Sequence, residues 1–290
     1  MDKLGLIVLN YNSFNDTIVC VDRLLKFQEA YKIVIVDNQS PDGSYDKLKQ
    51  YYMNQQEVDV ILSDDNRGYS AGNNFGIKYA LKKHRVTRIG ILNPDVIIDD
   101  KALIKNMLQY LDSSEKFVII GGLPVDADGA QDINKAAWNI PSALDLVLDH
   151  SLLIARKKTL KQEEIGEHLI SVDCVAGCFF LVKVSFLESI GFLDEGVFLY
   201  NEENLLGIQC KKRGLIEVVY TDGKYIHNHR HTSRNIPLRK KVNATHHSYM
   251  SRKYLCKRYY SKCLLPFLWM VEMVNKFFLM LCYVKSRLIK

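Results

Sequence analysis

An α/β fold with a mostly parallel central sheet flanked by helices is predicted by two observations. Short, nearly continuous apolar runs of strand length alternate with stretches whose apolar residues recur at helical spacing. Clusters of turn-forming or polar residues follow several of these runs, as "NQSPDGS" follows "KIVIVD". The first run, "LGLIVLN" (4–10), has the pattern of a strand buried on both faces. Ile18, Val21, Leu24 and Leu25 in "DTIVCVDRLLKF" then mark a helix. "KIVIVD" (32–37), "VDVILS" (58–63) and "RIGILN" (88–93) repeat the strand theme, with helices expected over 44–54, 72–84 and 100–111. Ligands bind such sheets outside the carboxyl ends of the strands, which selects the turns after Asn10, Asp37, Ser63 and Asn93.

The stretch 125–170 is irregular and takes no firm assignment. "ISVDCVAGCFFLVK" (170–183) reads as one long strand interrupted by Gly177. "NEENLLGIQCKKRG" (201–214) reads as a helix with acids at its start and Gly214 past its end. "IEVVY" (216–220) is a strand, and "YIHNHRHTSR" (225–234) a polar, His-rich loop. Two parts are expected: a catalytic domain over 1–240 and a basic, aromatic helical tail over 241–290.

With 290 residues, 48% of them hydrophobic, the chain can bury a core as one large domain or one domain with an appendage. The formal net charge is only +6, but Lys and Arg crowd the chain from Tyr249 onward with almost no acid. That asymmetry points to an anionic partner for the C-terminal end, a membrane surface before nucleic acid. Seven cysteines lie mostly in apolar runs. Cys174 and Cys178 lack a second pair at zinc-like distance, so reduced core thiols in a cytosolic protein are expected. "MDKLGLIVLNYNS" shows no export signal.

Asp37 follows "VIV" directly and should lie at the ligand edge. There its carboxylate can accept the imide N–H of uracil or thymine, or it can start the turn through an Asx bond; residue type alone leaves these equal. Asp95, after Pro94 in "LNPDV", is the sharper candidate. Mg²⁺ takes carboxylate oxygens together with substrate phosphates and needs only one or two protein ligands. A turn-forming Asp is the other reading.

"LIVLNYNS", "IVIVDNQSPDGS", "DNRGYSAGNNFGIKYAL", "LNPDV" and "VFLYNEENLLGIQCKKRG" occur in the order seen in family 2 glycosyltransferases. Over roughly residues 4–235 the chain resembles the rhamnosyltransferase-type subgroup that builds bacterial surface polysaccharide. The resemblance implies a GT-A fold, a dTDP- or UDP-sugar donor, a divalent metal (Mg²⁺ or Mn²⁺) and an inverting mechanism. It matches Asp37 to the family's base-binding Asp and Asn93–Pro94–Asp95 to its metal-binding Asp-x-Asp, of which only the second acid is kept. Glu202–Glu203 stands where relatives show Glu-Asp, the second acid being the catalytic base, so Glu203 is the first candidate and Glu202 the second. A metal-completing His belongs in the His-rich loop, as His227 or His229. Arg67 is expected at the diphosphate, with Gly68 and Gly72 permitting close backbone approach and a helix starting near Gly72 aiming N–H groups at the anion. Asn73 and Asn74 would contact sugar hydroxyls or lock the loop. Asn10, Asn12, Asn38, Asn66, Asn93 and Gly177 complete the expected nucleotide-sugar-binding set.

The chemistry asks for the same parts. Displacing a nucleoside diphosphate from an anomeric carbon needs charge stabilisation on the leaving group and a base for the acceptor hydroxyl. In the tail, "LLPFLWMVEMVNKFFLMLCYV" (264–284) is near membrane-span length but interrupted by Glu272, Asn275 and Lys276 and flanked by Lys and Arg. That composition suits an interfacial helix, placing the protein at the cytoplasmic membrane face near a glycan or polyprenyl-linked acceptor. Packing on the core or on a second subunit of a homo-oligomer is the alternative. Nucleic acid binding has no motif behind it. A pyrophosphorylase would want a Gly-rich basic loop after the first strand, which "LNYNSFND" lacks; a degenerate scaffold subunit is the non-enzyme rival.

Overall fold

The computed structural model describes residues 3–29, 31–125, 132–148, 151–152, 159–228 and 237–288. In the first half the elements alternate as expected: β1 (Leu4–Asn10), α1 (Phe14–Lys26), β2 (Lys32–Asp37), α2 (Ser44–Tyr51), β3 (Val58–Leu62), α3 (Tyr69–His84) and β4 (Arg88–Leu92). Next come β5 (Val96–Ile97), α4 (Ala102–Asp112), β6 (Phe117–Val125), α5 (Ile133–Ala136), β7 (Ala137–Trp138) and α6 (Ala143–Leu148). The second half holds β8 (Glu163–Gly166), β9 (Leu169–Val172), β10 (Cys174–Val175), β11 (Phe179–Lys183), α7 (Val184–Ile190), α8 (Glu202–Lys212), β12 (Ile216–His227), α9 (Leu238–Tyr259) and α10 (Leu265–Leu288).

The main sheet has the order β3-β2-β1-β4-β11-β6-β12-β9-β8, with β5 pairing β12. The strands β3, β2, β1 and β4 are mutually parallel, and β6 and β12 run with them, whereas β11, β9 and β5 run against them. This mixture orders the carboxyl ends of β1, β2, β3, β4 and β12 along one edge, as the crevice rule requires. The central strands bury both faces, with Leu6, Ile7, Val8, Ile33, Val34 and Ile35 all excluded from water. That explains their unbroken apolar runs.

Three expectations are corrected. The strand foreseen over 170–183 is three strands: β9 and β11 belong to the main sheet, while β10 leaves it to pair with β7. Of the loop foreseen over 225–234, residues 225–227 are strand, because β12 continues through His227 to pair with β5, and residues 229–234 lie outside the described residues. Helix α3 begins at Tyr69, three residues before the expected 72.

The boundary expected at residue 240 falls inside α9, and the helical extension packs on the rest of the chain. Leu255, Cys256, Leu268 and Val271 from α9 and α10 share one apolar cluster with Leu146, Val147, Val197 and Leu205 from the rest of the chain. Five cysteines are buried free thiols, and Cys263 and Cys282 are exposed.

Candidate active site

A tight turn after β4 sets the first part of the site, with Val96 N–H donating to Asn93 O and Asn93 N–H to Cys178 O. Beyond that turn β5 pairs antiparallel with the end of β12, opposing Val96 to His227. This register brings His227 Nε2 within 3.3 Å of Asp95 Oδ1, while Asn228 N–H donates to Asp95 O. Burial opposes charging of His227, but the hydrogen bonds and negative fields of Asp95 and Cys178 outweigh it and push its pKa up to about 10. A cation held by both side chains would displace the His227 proton, since only the neutral imidazole nitrogen has a lone pair to give. One carboxylate oxygen and one imidazole nitrogen are a fitting pair for a divalent cation that completes its shell with diphosphate oxygens and water. Among the described residues no group of three His, Cys, Asp or Glu side chains is placed to hold a metal. His229 lies outside the described residues.

The second part is the start of α8. Its cap, Asn201, and the preceding Tyr200 both take left-handed backbone, at φ 69° and 73°. Glu203 Oε1 accepts the Gly177 N–H at 3.2 Å, and the Tyr69 hydroxyl donates to Gly177 O at 2.6 Å. Burial raises the Glu203 pKa. Glu202 is buried as well; burial and the neighbouring Glu203 push it up to about 8, and its Oε1 has no hydrogen-bond partner. A Cβ on Gly177 would lie 2.5 Å from Glu203 Oε1, so the glycine is what lets that carboxylate approach the backbone. A cavity of about 690 Å³ joins Asn93, Gly177, Glu202, Glu203 and His227, with Tyr69 and Trp138 in its wall.

The third part is the β1–β2 edge. Asp37 is fully buried; Asn10 Nδ2 donates to its Oδ2 at 2.7 Å and Ser40 N–H to its Oδ1 at 2.8 Å. Asn10 Oδ1 in turn accepts from Thr17 and from Ser13 N–H, and exposed Asn12 donates its N–H to Ser40. The turn-starting bond of Asp37 is present, and a carboxylate that accepts two hydrogen bonds keeps lone pairs for a further donor, so both sequence readings of Asp37 are compatible with this geometry.

The residues of "DNRGYSAGNN" make contacts within the protein. Gly68 adopts φ 97° and ψ −171°, and a Cβ there would meet Phe198 O at 2.0 Å; Tyr69 N–H donates to that same oxygen. A Cβ on Gly72 would meet Leu9 and Asn38. Both close approaches are therefore made by protein. The amide of Asn74 bridges Leu193 O, Leu193 N–H and Glu195, while Asn73 donates back to Tyr69 O. Asn38 and Asn66 tie each other and Gly68. Arg67, 65% exposed, pairs with Glu195 at 3.1 Å. Together these residues hold the loop 193–201 that leads into Glu202 and Glu203. Sequence reasoning missed that loop as the target, and it also missed Tyr69 and Trp138 in the cavity wall.

The family model "Glycosyl transferase family 2" matches residues 6–191, more than half of the chain. The low-salt glycan biosynthesis hexosyltransferase Agl10 of Haloferax volcanii is 28% identical over 203 residues, 70% of this chain and 60% of that protein. Rhamnosyltransferase WbbL of Escherichia coli K12 is 28% identical over 191 residues, covering 64% of this chain and 69% of that one. Among solved structures, the mannosyltransferase PcManGT of Pyrobaculum calidifontis, in complex with GDP-Man and Mn²⁺, superposes with a TM-score of 0.56 at 13% identity. That superposition covers 94% of this chain and 69% of that structure. The fold is GT-A, as the sequence resemblance implied. This chain belongs to glycosyl transferase family 2.

Proposed function

We propose that the protein is an inverting glycosyltransferase. It moves a sugar from a dTDP- or UDP-sugar to a hydroxyl of a glycan or polyprenyl-linked saccharide in surface polysaccharide synthesis. Rhamnose is the favoured sugar by resemblance to the subgroup. One observation carries this reading: the acid–imidazole pair of Asp95 and His227 and the base candidate Glu203 line or border one cavity at the carboxyl edge of the sheet.

Asp95 and His227 would hold a Mg²⁺ or Mn²⁺, which supplies charge neutralisation for the departing diphosphate. Glu203 accepts the acceptor proton on its carboxylate, and burial makes it a stronger base than an exposed Glu. The Gly177 N–H keeps that carboxylate aimed. The β1–β2 edge, with Asn10, Asn12, Asp37 and Ser40, receives the base. Nucleoside diphosphate release from a panel of UDP- and dTDP-sugars with Mg²⁺ or Mn²⁺ tests the reading. Asp95→Ala should reduce release at least a hundredfold. A protein that neither hydrolyses any donor nor binds UDP or dTDP in a calorimeter would instead be a scaffold subunit.

The extension would dock on an anionic bilayer. From Phe267 to Val284 nine exposed apolar side chains, Phe267, Trp269, Met270, Met273, Val274, Phe277, Met280, Leu281 and Val284, fall on one arc of α10, with exposed Cys282 and Tyr283 outside it. At 100° per residue this arc is about 160° wide and free of charge, broader than the seam a single partner helix covers. Glu272 and Asn275 point the other way: Glu272 meets Lys276 and His246, and Asn275 accepts from Leu152 N–H. The segment Lys262–Val284 is long and apolar enough to span, yet its polar inner face is packed on protein, which favours lying in the interface. Lys and Arg at both ends complement anionic lipid. The protein should sediment with phosphatidylglycerol vesicles and less with phosphatidylcholine, and Phe277→Glu should weaken binding about tenfold or more. Protein that stays in the supernatant with both, or a dimer abolished by the same substitution, would refute docking.

A further inference from the structure

The loop that presents the two acids is gripped from two sides, and only one grip belongs to the sheet domain. From the front, α3 holds it through Gly68, Tyr69 and Asn74, as described. From the back, α9 holds it through three contacts. His247 stacks on Phe198 with ring centroids 4.7 Å apart and planes 21° apart. The Tyr254 hydroxyl donates to Asp194 at 2.8 Å, and its ring fills the space a Cβ on Gly196 would need. Deepest of the three, Asn201 Nδ2 donates to Ser251 Oγ at 2.8 Å, and Ser251 Oγ donates to Ser248 O.

The Ser251 contact continues into the site. Asn204 Nδ2 donates to Asn201 Oδ1 at 2.8 Å, and the Trp138 indole N–H donates to Asn204 Oδ1 at 3.0 Å. Glu202 and Glu203 lie between the two asparagines in sequence, on the same first turn of α8. Consecutive left-handed residues at Tyr200 and Asn201 persist only where surrounding contacts over-determine them. Asn201 and Ser251 are both buried, so the hydrogen bond between them has no water to compete with it.

We propose that Ser251, acting through Asn201 and Asn204, is a positioning residue for the Glu202–Glu203 turn, and that the bridge ends on the Trp138 indole in the cavity wall. The helical extension is then a working part of the active site. This rests on Glu203 being the base, but part of its test does not.

The chain has two tryptophans, Trp138 and exposed Trp269, so ¹⁵N-tryptophan labelling of the full chain yields two indole signals, assigned with Trp269→Phe. Ser251→Ala should shift or broaden the Trp138 signal and leave Trp269 unmoved. On whichever donor wild type hydrolyses, kcat should fall ten- to hundredfold with KM for the donor within about twofold. Asn201→Gly guards against misfolding, since glycine relaxes the left-handed cap while deleting the amide; it should give the same signature without loss of thermal stability. An unchanged Trp138 signal in both variants, or an unchanged kcat, overturns the bridge. A wild type that turns over and binds no nucleotide sugar overturns the function reading instead, and the indole result still decides the bridge.

Discussion

Glu203→Gln should lower sugar transfer about a thousandfold, roughly 4 kcal/mol of barrier, while UDP or dTDP binding stays within about twofold. The amide keeps the shape of the carboxylate, and its oxygen can still accept the Gly177 N–H, so the fold is preserved. Only proton acceptance is lost. Gly177→Ala should approach the same result by another route, because its Cβ would displace the Glu203 carboxylate rather than backbone. Calorimetry with the nucleotide and single-turnover kinetics would separate binding from chemistry. If Glu203→Gln stays within tenfold of wild type and Glu202→Gln does not, the base is Glu202.

The same burial sets opposite pH trends for rate and stability. Because burial raises Glu203, the ionised base becomes scarcer as pH falls and activity should rise with pH. Glu202 and Glu217 stand at about 8 in the folded chain against an ordinary 4.5, so the folded state binds more protons than the unfolded one in between. Their contribution to stability is complete below 4.5 and is lost as pH climbs to about 8. Urea midpoints at pH 6 and 9 should therefore fall in the direction in which kcat rises.

Gly68→Ala should be the most destabilising small substitution in the sheet domain, at about 3–5 kcal/mol. Its φ and ψ fall in a region that essentially only glycine occupies, and the added Cβ would overlap a backbone carbonyl, which cannot rotate away. Relief requires moving residues 193–201, so activity should fall with stability. Gly43→Ala is the control: it also has positive φ, but open space surrounds it, so a cost of about 1 kcal/mol is expected. Equal urea midpoints for the two variants would show that Gly68 does not touch the Phe198 carbonyl.

The strands were readable because burial on both faces leaves an unbroken apolar run, and β1 and β2 fall where "LGLIVLN" and "KIVIVD" lie. What sequence could not show is direction and pairing. The amides of Asn73 and Asn74 look alike whether they face a sugar or the chain, and here they bind Tyr69 and Leu193. Helix α3 begins before Gly72 because Gly68 is the residue whose backbone ends the loop. Asp95 and His227 lie 132 positions apart and meet only through the β5–β12 register, which no local pattern encodes. Glu272 and Asn275 read as interruptions of an apolar helix, but projection onto one face turns them inward.

The grip on the acids also has an order in time. During synthesis α3 and the nucleotide edge emerge first, then α8, and Ser251 follows Asn201 by 50 residues. At about 5–20 residues per second that interval lasts several seconds, in which the emerging chain has its donor-side sheet but no back support for its base. A nascent protein would thus engage nucleotide before it can spend it. Arming would wait for the helices that also carry the uncharged exposed arc of α10, so if that arc docks as proposed, maturation and arrival at the workplace become one event.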